Sequence, residues 1–397
     1  MINIAILGYG VVGSGVYEVI ERNNEGILAR SGRKINVKRV LDLREFEDHP
    51  RKEIFTKDFN DILTDDEISV VVETMGGVKP AYEFTKAALE AGMSVVTSNK
   101  ELVATHGTEL LKIAKDKNSN YLFEASVGGG IPVIRPLHNC LAANEVVEIF
   151  GILNGTTNYI LTKMITEGIS FDTALKQAQE KGYAERNPAA DVEGHDAARK
   201  ICILSSLAFG KEVDVNSVYT EGITNISLED VSGASQMGYV IKLIGYTKQL
   251  DGKALCRVSP MLIPKSVPLS KVDDVFNAIM VRGNMVGDVM FYGPGAGKLP
   301  TASAVVGDVI DIAKCDDNKG FGWEPAAKEY NASHSDATVR LFVRCEEAVD
   351  KNKAAAFGEC EFSADGKCFI TPAGIEADLE KILAESGIDA QSCIRVM

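Results

Sequence analysis

A six-residue apolar run, Ile2–Leu7 (INIAIL), leads without a break into Gly8-Tyr9-Gly10-Val11-Val12-Gly13-Ser14-Gly15. Short β-branched runs of this kind form buried parallel strands. Helical spacing follows at once, with Val12, Val16, Val19 and Ile20 recurring along Val11 to Ile20. Only glycine lets the backbone turn this tightly and approach a pyrophosphate. The helix N-terminus then supplies N–H groups and a positive dipole end. A lone G-x-G-x-x-G is a weak signal, and a glycine turn with no ligand is its bland alternative. Wedged between a clear strand and a clear helix, it points to a dinucleotide.

The alternation continues. Further strands are expected at Ile35–Leu41, Ser69–Glu73 and Ser94–Thr97, separated by helical stretches such as Ala81–Ala91 and Gly107–Asp116. Strand and helix alternating at this pitch predict an α/β fold with a Rossmann-type, doubly wound parallel sheet. The residue that selects between ribose forms belongs at the end of the second strand, where the chain reads Leu41-Asp42-Leu43-Arg44. Asp42 suits a free 2′-hydroxyl and hence NAD; Arg44 suits a 2′-phosphate and hence NADP. The two signals conflict, with a slight lean to NAD.

After Tyr121–Ala125 the pattern changes. Gly128-Gly129-Gly130-Ile131-Pro132 breaks the alternation, a strand is expected at Glu145–Leu153, and long helices at Asn158–Glu167, Phe171–Gly182 and Asp196–Phe209. This middle part reads as a second, α+β domain. Residues 301–314 are helical and are expected to return to the first domain. From about Thr338 a short βα tail follows, with a hairpin signal at Asp365-Gly366, a helix near Ile375–Glu385 and a last strand, CIRVM.

Composition excludes some partners. With 42 basic against 56 acidic residues the net charge is −14. That argues against nucleic acid or an anionic membrane, whose binding needs a basic surface. No run approaches the ~18 apolar residues of a membrane span. Eight cysteines lie scattered without a C-x-x-C pair, and no basic, then apolar, leader opens the chain. These features read as reduced thiols in a cytoplasmic enzyme. The five histidines form no zinc pattern with the cysteines, and His195 reads as a loop or helix-cap residue.

Several segments then fall in order: VVETMGG (71–77), SNKELVA (98–104), EASVGGGIP (124–132), ILNGTTNYIL (152–161), GYAERNPAADVEGHDAARK (182–200) and GPGAGKLPTASAVVGD (293–308). Together they closely resemble the homoserine dehydrogenase family over about the first 320 residues. The resemblance implies NAD(P)H-dependent, reversible reduction of L-aspartate 4-semialdehyde to L-homoserine, in the route to threonine, methionine and isoleucine. It implies a dinucleotide-binding domain at 1–130, rejoined by 301–330, and a catalytic and dimerisation domain at 131–300. It further implies an ACT-like tail at 335–397, although that tail lacks the glycine-containing ligand turn common in ACT domains. Many family members end in such a module, and threonine feedback is the corresponding hypothesis. A homodimer or homotetramer is expected.

Site residues follow from the same resemblance. Glu185 and Asp191 are expected near the substrate's α-ammonium, which a carboxylate holds well. Tyr183 and Thr156 are expected on its other polar groups. Asp196 and Lys200 stand four apart on one helix face, where the bland reading is a surface salt bridge. In the family's D-x-x-x-K position Lys200 becomes the expected proton donor to the nascent alkoxide, with Asp196 orienting it. Lys100 is the second candidate for that role and an expected cofactor contact. Gly8, Gly10, Val11, Val12, Gly13, Asp42, Arg44, Thr74, Asn99 and Gly295 are expected on the cofactor. Backbone carbonyls of Glu124, Val127, Gly129 and Ile131 match a loop holding a monovalent cation, Na⁺ or K⁺. Two other readings compete: an oxidoreductase acting on a related carbonyl, and a non-enzymatic nicotinamide or amino-acid sensor. The sensor would lack these lysines and carboxylates, and none is missing.

Overall fold

The structure is a computed structural model that describes residues 1–397 apart from 316, 319 and 328. Its contacts divide the chain into two compact units. One comprises Met1–Glu145, Cys202–Val215 and Gly293–Ala326; the other comprises Val146–Ile201, Asn216–Tyr292 and Ala327–Met397. Neither is continuous in sequence.

The first unit begins with β1 (Ile2–Leu7), α1 (Val11–Arg22), α2 (Asn24–Ser31), β2 (Ile35–Leu41) and β3 (Phe55–Thr56). There follow α3 (Asn60–Leu63), β4 (Ile68–Glu73), α4 (Ala81–Glu90), β5 (Ser94–Thr97), α5 (Lys100–Asp116) and β6 (Tyr121–Leu122). The six strands lie in the order β3-β2-β1-β4-β5-β6 and pair in parallel. Order reverses between β1 and β4, and that switch point is where open α/β sheets bind ligands. Two expectations are corrected locally. The helix expected from Gly107 begins at Lys100, because Asn99 caps it by accepting from the Leu102 N–H. The strand expected to Ala125 stops at Leu122, and residues 124–126 form a single 3-10 turn, the Glu124 N–H being bound to the Asp308 carboxylate at 2.8 Å.

The chain continues with β7 (Val146–Ile152), α6 (Gly155–Glu167), α7 (Phe171–Glu180), α8 (Ala189–Val192), α9 (His195–Phe209), β8 (Tyr219–Thr220) and α10 (Leu228–Gln236), all in the second unit except α9 from Cys202 onward, which belongs to the first. A long hairpin, β9 (Tyr239–Leu250) and β10 (Lys253–Pro264), precedes β11 (Phe276–Gly283) and β12 (Gly287–Pro294). Its two-residue turn is Asp251-Gly252, both at positive φ, +50° and +78°. That is the conformation whose twist suits a tight hairpin. The chain then passes to α11 (Lys298–Lys314), which belongs to the first unit. There α1 and α11 lie side by side, with Gly15 so close that a Cβ would come 2.8 Å from the Lys298 carbonyl. Val16, Ile20, Ala302, Val305 and Val309 join Ile4, Ile6, Val70 and Val72 in one core.

The remainder supplies β13 (Thr338–Cys345), α12 (Lys351–Ala354), β14 (Glu361–Phe362), β15 (Cys368–Ile370), β16 (Gly374–Ile375), α13 (Glu376–Glu385) and β17 (Ala390–Val396). The tail does not stand apart from the second unit. An eleven-stranded sheet runs β12-β11-β7-β9-β10-β17-β13-β15-β14, with β16 on β13 and β8 on β10. The chain's last strand is thus inserted between β10, which it pairs in parallel, and β13, which it pairs antiparallel. One core joins Ile244, Met261, Ile263 and Met280 to Leu341, Val343, Phe369 and Leu379. Among the described residues no helix is long and apolar enough to cross a membrane.

Candidate active site

In the first unit the glycine loop is shaped by contact. Gly8 sits at φ +89°, a conformation L side chains rarely adopt. A Cβ on Gly13 would lie 2.0 Å from the Gly8 carbonyl, so no other residue fits there. Gly10 is the N-cap of α1 with no side-chain cap, and nothing lies within 4 Å of where its Cβ would be. The result is a bare helix N-terminus facing open space, which fits a pyrophosphate. Thr74 closes the loop from the switch point: its hydroxyl donates to the Gly8 carbonyl at 2.8 Å and its N–H to Leu7 at 2.9 Å.

Asp42 and Arg44, which conflict as sequence signals, form one ion pair. The guanidinium donates to both carboxylate oxygens, through Nε at 3.0 Å and Nη2 at 2.8 Å. The backbone N–H groups of Arg44 and Tyr9 add two more bonds, at 3.0 and 2.8 Å. Hydrogen bonding from Arg44 is the main reason the Asp42 carboxyl is held down to about 2, so it stays ionised. Phe46 lies under the Arg44 guanidinium at 5.3 Å.

A buried polar girder supports Lys100. Glu73, at the end of β4, accepts from the Thr97 hydroxyl at 2.5 Å and from the Met75 N–H at 2.7 Å. Burial raises its carboxyl above the usual range. The Asn99 N–H donates to Thr97 Oγ1 at 2.9 Å, and Asn99 Nδ2 to the Gly77 carbonyl at 2.6 Å. Lys100 therefore opens α5 at a rigidly held strand end. Sequence reasoning named Thr74, Asn99 and Lys100 but missed Glu73 and Thr97. A carboxylate closing the buried apolar run VVV in ISVVVE was the available signal.

Gly295 lies against the triple-glycine loop, where a Cβ on Gly129 would come 2.3 Å from the Gly295 carbonyl. Glu124 is buried, and its carboxylate accepts the N–H groups of Val133, Ile134 and Arg135 at 2.6 to 2.9 Å, plus Arg135 Nε. That side chain organises the loop from within and leaves carbonyls as the remaining oxygen donors. Among the described residues, those of Val127 and Gly129 accept no backbone hydrogen bond outside regular elements. No group of three or more His, Cys, Asp or Glu able to hold a metal occurs among the described residues.

In the second unit the expected catalytic pair is buried rather than a surface bridge. Lys200 Nζ donates to Asp196 Oδ2 at 2.7 Å and to the Leu153 carbonyl at 2.7 Å, with side-chain exposures of 10% and 8% for Lys200 and Asp196. Asn154, which sequence reasoning missed, joins the constellation. Its Nδ2 donates to Asp196 Oδ2 at 2.9 Å and to Asp191 Oδ1 at 2.7 Å. Its Oδ1 meanwhile caps α6 by accepting from the Thr157 N–H. One amide thus ties two expected functional carboxylates together at the end of β7. Thr156 Oγ1 donates to the Tyr183 carbonyl at 2.7 Å, fixing the exposed turn that carries Tyr183 and Glu185. The Tyr183 ring meets Tyr159 edge-on at 5.2 Å. His195 is exposed and faces Glu193 at 3.3 Å, away from this cluster's bonds.

Comparison with known proteins shows the family. The model of the homoserine dehydrogenase NAD-binding domain matches residues 8–124, and that of homoserine dehydrogenase itself matches 132–310. The homoserine dehydrogenase of Bacillus subtilis is 43% identical over 316 residues, covering 79% of this chain and 73% of that one. That of Neisseria gonorrhoeae is 44% identical, covering 79% and 72%. Among solved structures, a homoserine dehydrogenase from Thiobacillus denitrificans superposes with TM-score 0.91 at 35% identity, over 100% of this chain and 98% of that one. A hyperthermophilic archaeal homoserine dehydrogenase in complex with NADPH gives 0.65 at 28%, over 78% and 97%. By these matches the chain belongs to the homoserine dehydrogenase family of NAD(P)-dependent oxidoreductases.

Proposed function

We propose a division of labour for the family's reaction, reduction of L-aspartate 4-semialdehyde to L-homoserine. When bound, the reduced nicotinamide supplies the hydride. Gly8, Gly10, Val11, Val12 and Gly13 hold its pyrophosphate, and Thr74, Asn99, Lys100 and Gly295 border its nicotinamide half. Glu185 and Asp191 hold the substrate's ammonium, and Tyr183 and Thr156 its remaining polar groups. Lys200 donates a proton to the oxygen on which negative charge develops, and Asp196 orients it. Lys100 is the second candidate for that proton-donor role. The single observation carrying this reading is the buried Lys200–Asp196–Asn154–Asp191 chain, which presents an ammonium beside a carboxylate already locked in place. The test is oxidation of NADPH and NADH, followed by loss of absorbance, with aspartate semialdehyde. Rapid oxidation is expected; none by a folded, cofactor-binding chain would overturn it.

Cofactor choice follows from the Asp42–Arg44 pair. Arg44 neutralises the carboxylate and carries a guanidinium at the ribose end, so both cofactors are accepted. Arg44→Ala is expected to weaken NADPH binding about tenfold and NADH binding less than about twofold. Fluorescence titration of each measures this, and equal losses would sink the assignment.

Further readings complete the proposal. The carbonyls of Glu124, Val127, Gly129 and Ile131 hold Na⁺ or K⁺. The domains divide at 1–130 with 301–330, 131–300, and 335–397. The tail is an ACT-like module, supported by an element order that is β-α-β-β-α-β apart from the extra two-residue strand β16, and by the sheet order β17-β13-β15-β14. The enzyme works in the cytoplasm as a homodimer or homotetramer.

A further inference from the structure

Residues 219–223 connect the far end of the chain to the turn between Asp191 and Asp196. Arg395, in β17, donates through Nε to Glu376 at 2.7 Å and through Nη1 to Glu221 at 2.7 Å. Glu376 is fully buried and also accepts from Arg257 Nη1 at 2.9 Å. The same Glu221 oxygen accepts the Tyr219 hydroxyl at 3.1 Å, and the Arg395 guanidinium lies 4.8 Å over the Tyr219 ring. The Glu221 carboxylate is thus fixed from two sides, while its N–H donates to the Val258 carbonyl at 2.8 Å.

The next residues touch the loop that leads into α9. A Cβ on Gly222 would fall 2.2 Å from the Val192 carbonyl and 2.6 Å from Glu193 Cα. The Ile223 N–H donates to that same Val192 carbonyl at 2.9 Å. Gly194, at φ +88°, stands where a Cβ would come 3.1 Å from both Thr220 and Val258 side chains. Residues 192–194 therefore rest on 220–223 with no space between them. They also set the separation of Asp191 from Asp196, the two carboxylates that Asn154 spans at 2.7 and 2.9 Å.

We propose that Glu221, anchored by Arg395, is a positioning residue that fixes the height of the 192–194 turn and so holds Asp191 and Asp196 in register on Asn154. The proposal rests on the reading of Asp191 as a substrate ligand and Asp196 as the partner of Lys200. Its physical basis is leverage: Asn154 has one N–H for each carboxylate, so a shift of about 1 Å breaks one bond, and misplacements of that size cost up to about a hundredfold in rate. A salt bridge made by the tail thereby becomes part of the substrate pocket.

The test compares Glu221→Ala, Glu221→Gln and Gly222→Ala with the unaltered full-length chain. Glu221→Ala and Gly222→Ala are expected to raise KM for aspartate semialdehyde about tenfold, with kcat lowered less and the Kd for NADPH within about twofold. Glu221→Gln, which keeps the shape and the tyrosine bond, is expected to recover most of the loss. Amide exchange of peptides covering 189–196 is expected to speed up in Glu221→Ala while peptides of the first unit are unchanged. KM and exchange both unaltered would overturn the proposal, as would equal worsening of KM and NADPH affinity. Faster exchange in a chain that never turns over the aldehyde would leave the positioning intact and sink the substrate reading instead.

Discussion

Lys200→Met is expected to lower kcat/KM for aspartate semialdehyde by about 10³-fold, leaving NADPH affinity within about twofold. Loss of the proton donor accounts for part of that and loss of a preorganised positive charge for the rest. The substitution also removes the cation that pairs with the buried Asp196 carboxylate, which is expected to destabilise the second unit by about 3–5 kcal/mol. The double variant Lys200→Met, Asp196→Asn separates the two effects. Without the stranded charge it should regain most of the stability and none of the activity. Steady-state kinetics beside thermal denaturation measure both. A loss under about tenfold, with a collapse in Lys100→Ala instead, would transfer the donor role to Lys100.

The second large effect concerns stability. Glu376 is shared by two buried guanidinium groups, those of Arg257 and Arg395, whose residues are 3% and 5% exposed. Glu376→Leu takes the carboxylate from the buried Arg257 guanidinium and leaves Arg395 with Glu221 as its carboxylate partner. A buried charge deprived of its partner destabilises by about 3–5 kcal/mol, so the thermal midpoint should fall by roughly 6–20 °C. Scanning calorimetry measures it, and a fall of less than about 2 °C would show that the cations relax into solvent. Adding Arg395→Met and Arg257→Met should restore much of the loss, because a buried ionic triad replaced whole is often neutral.

What was legible in the sequence was whatever a local pattern encodes. INIAIL, the glycine loop and the VVVE and SVVT runs each carry their own period or backbone demand, and the parallel sheet formed where they predicted. Lys200 and Asp196 were legible because one helix turn fixes their spacing. The environment of that pair was not. Burial is decided by what packs on α9 from elsewhere, so an i,i+4 pair that reads as a surface bridge proved to be enclosed. Asn154 was missed because its role is to join residues 37 and 42 positions away. The Asp42–Arg44 conflict was likewise invisible as a pair: sequence shows two charges, and only geometry shows that one neutralises the other. The tail's union with the middle domain depends on β17 entering between β10 and β13, a register no single segment specifies.

The return of α11 has a consequence for how the chain comes to be made. Six strands and five helices emerge from the ribosome long before the helix that covers them. At ~5–20 residues per second, roughly ten to thirty seconds separate synthesis of residue 145 from that of residues 298–314. Through that interval Val16 and Ile20 face water where Ala302, Val305 and Val309 will later lie. The nascent chain therefore carries a sticky, half-clad nucleotide fold for many seconds, which makes it a natural client for chaperones. It also means that cutting the gene after residue 145 would not yield a self-sufficient cofactor-binding fragment. A complete first unit also needs Cys202–Val215 and Gly293–Ala326.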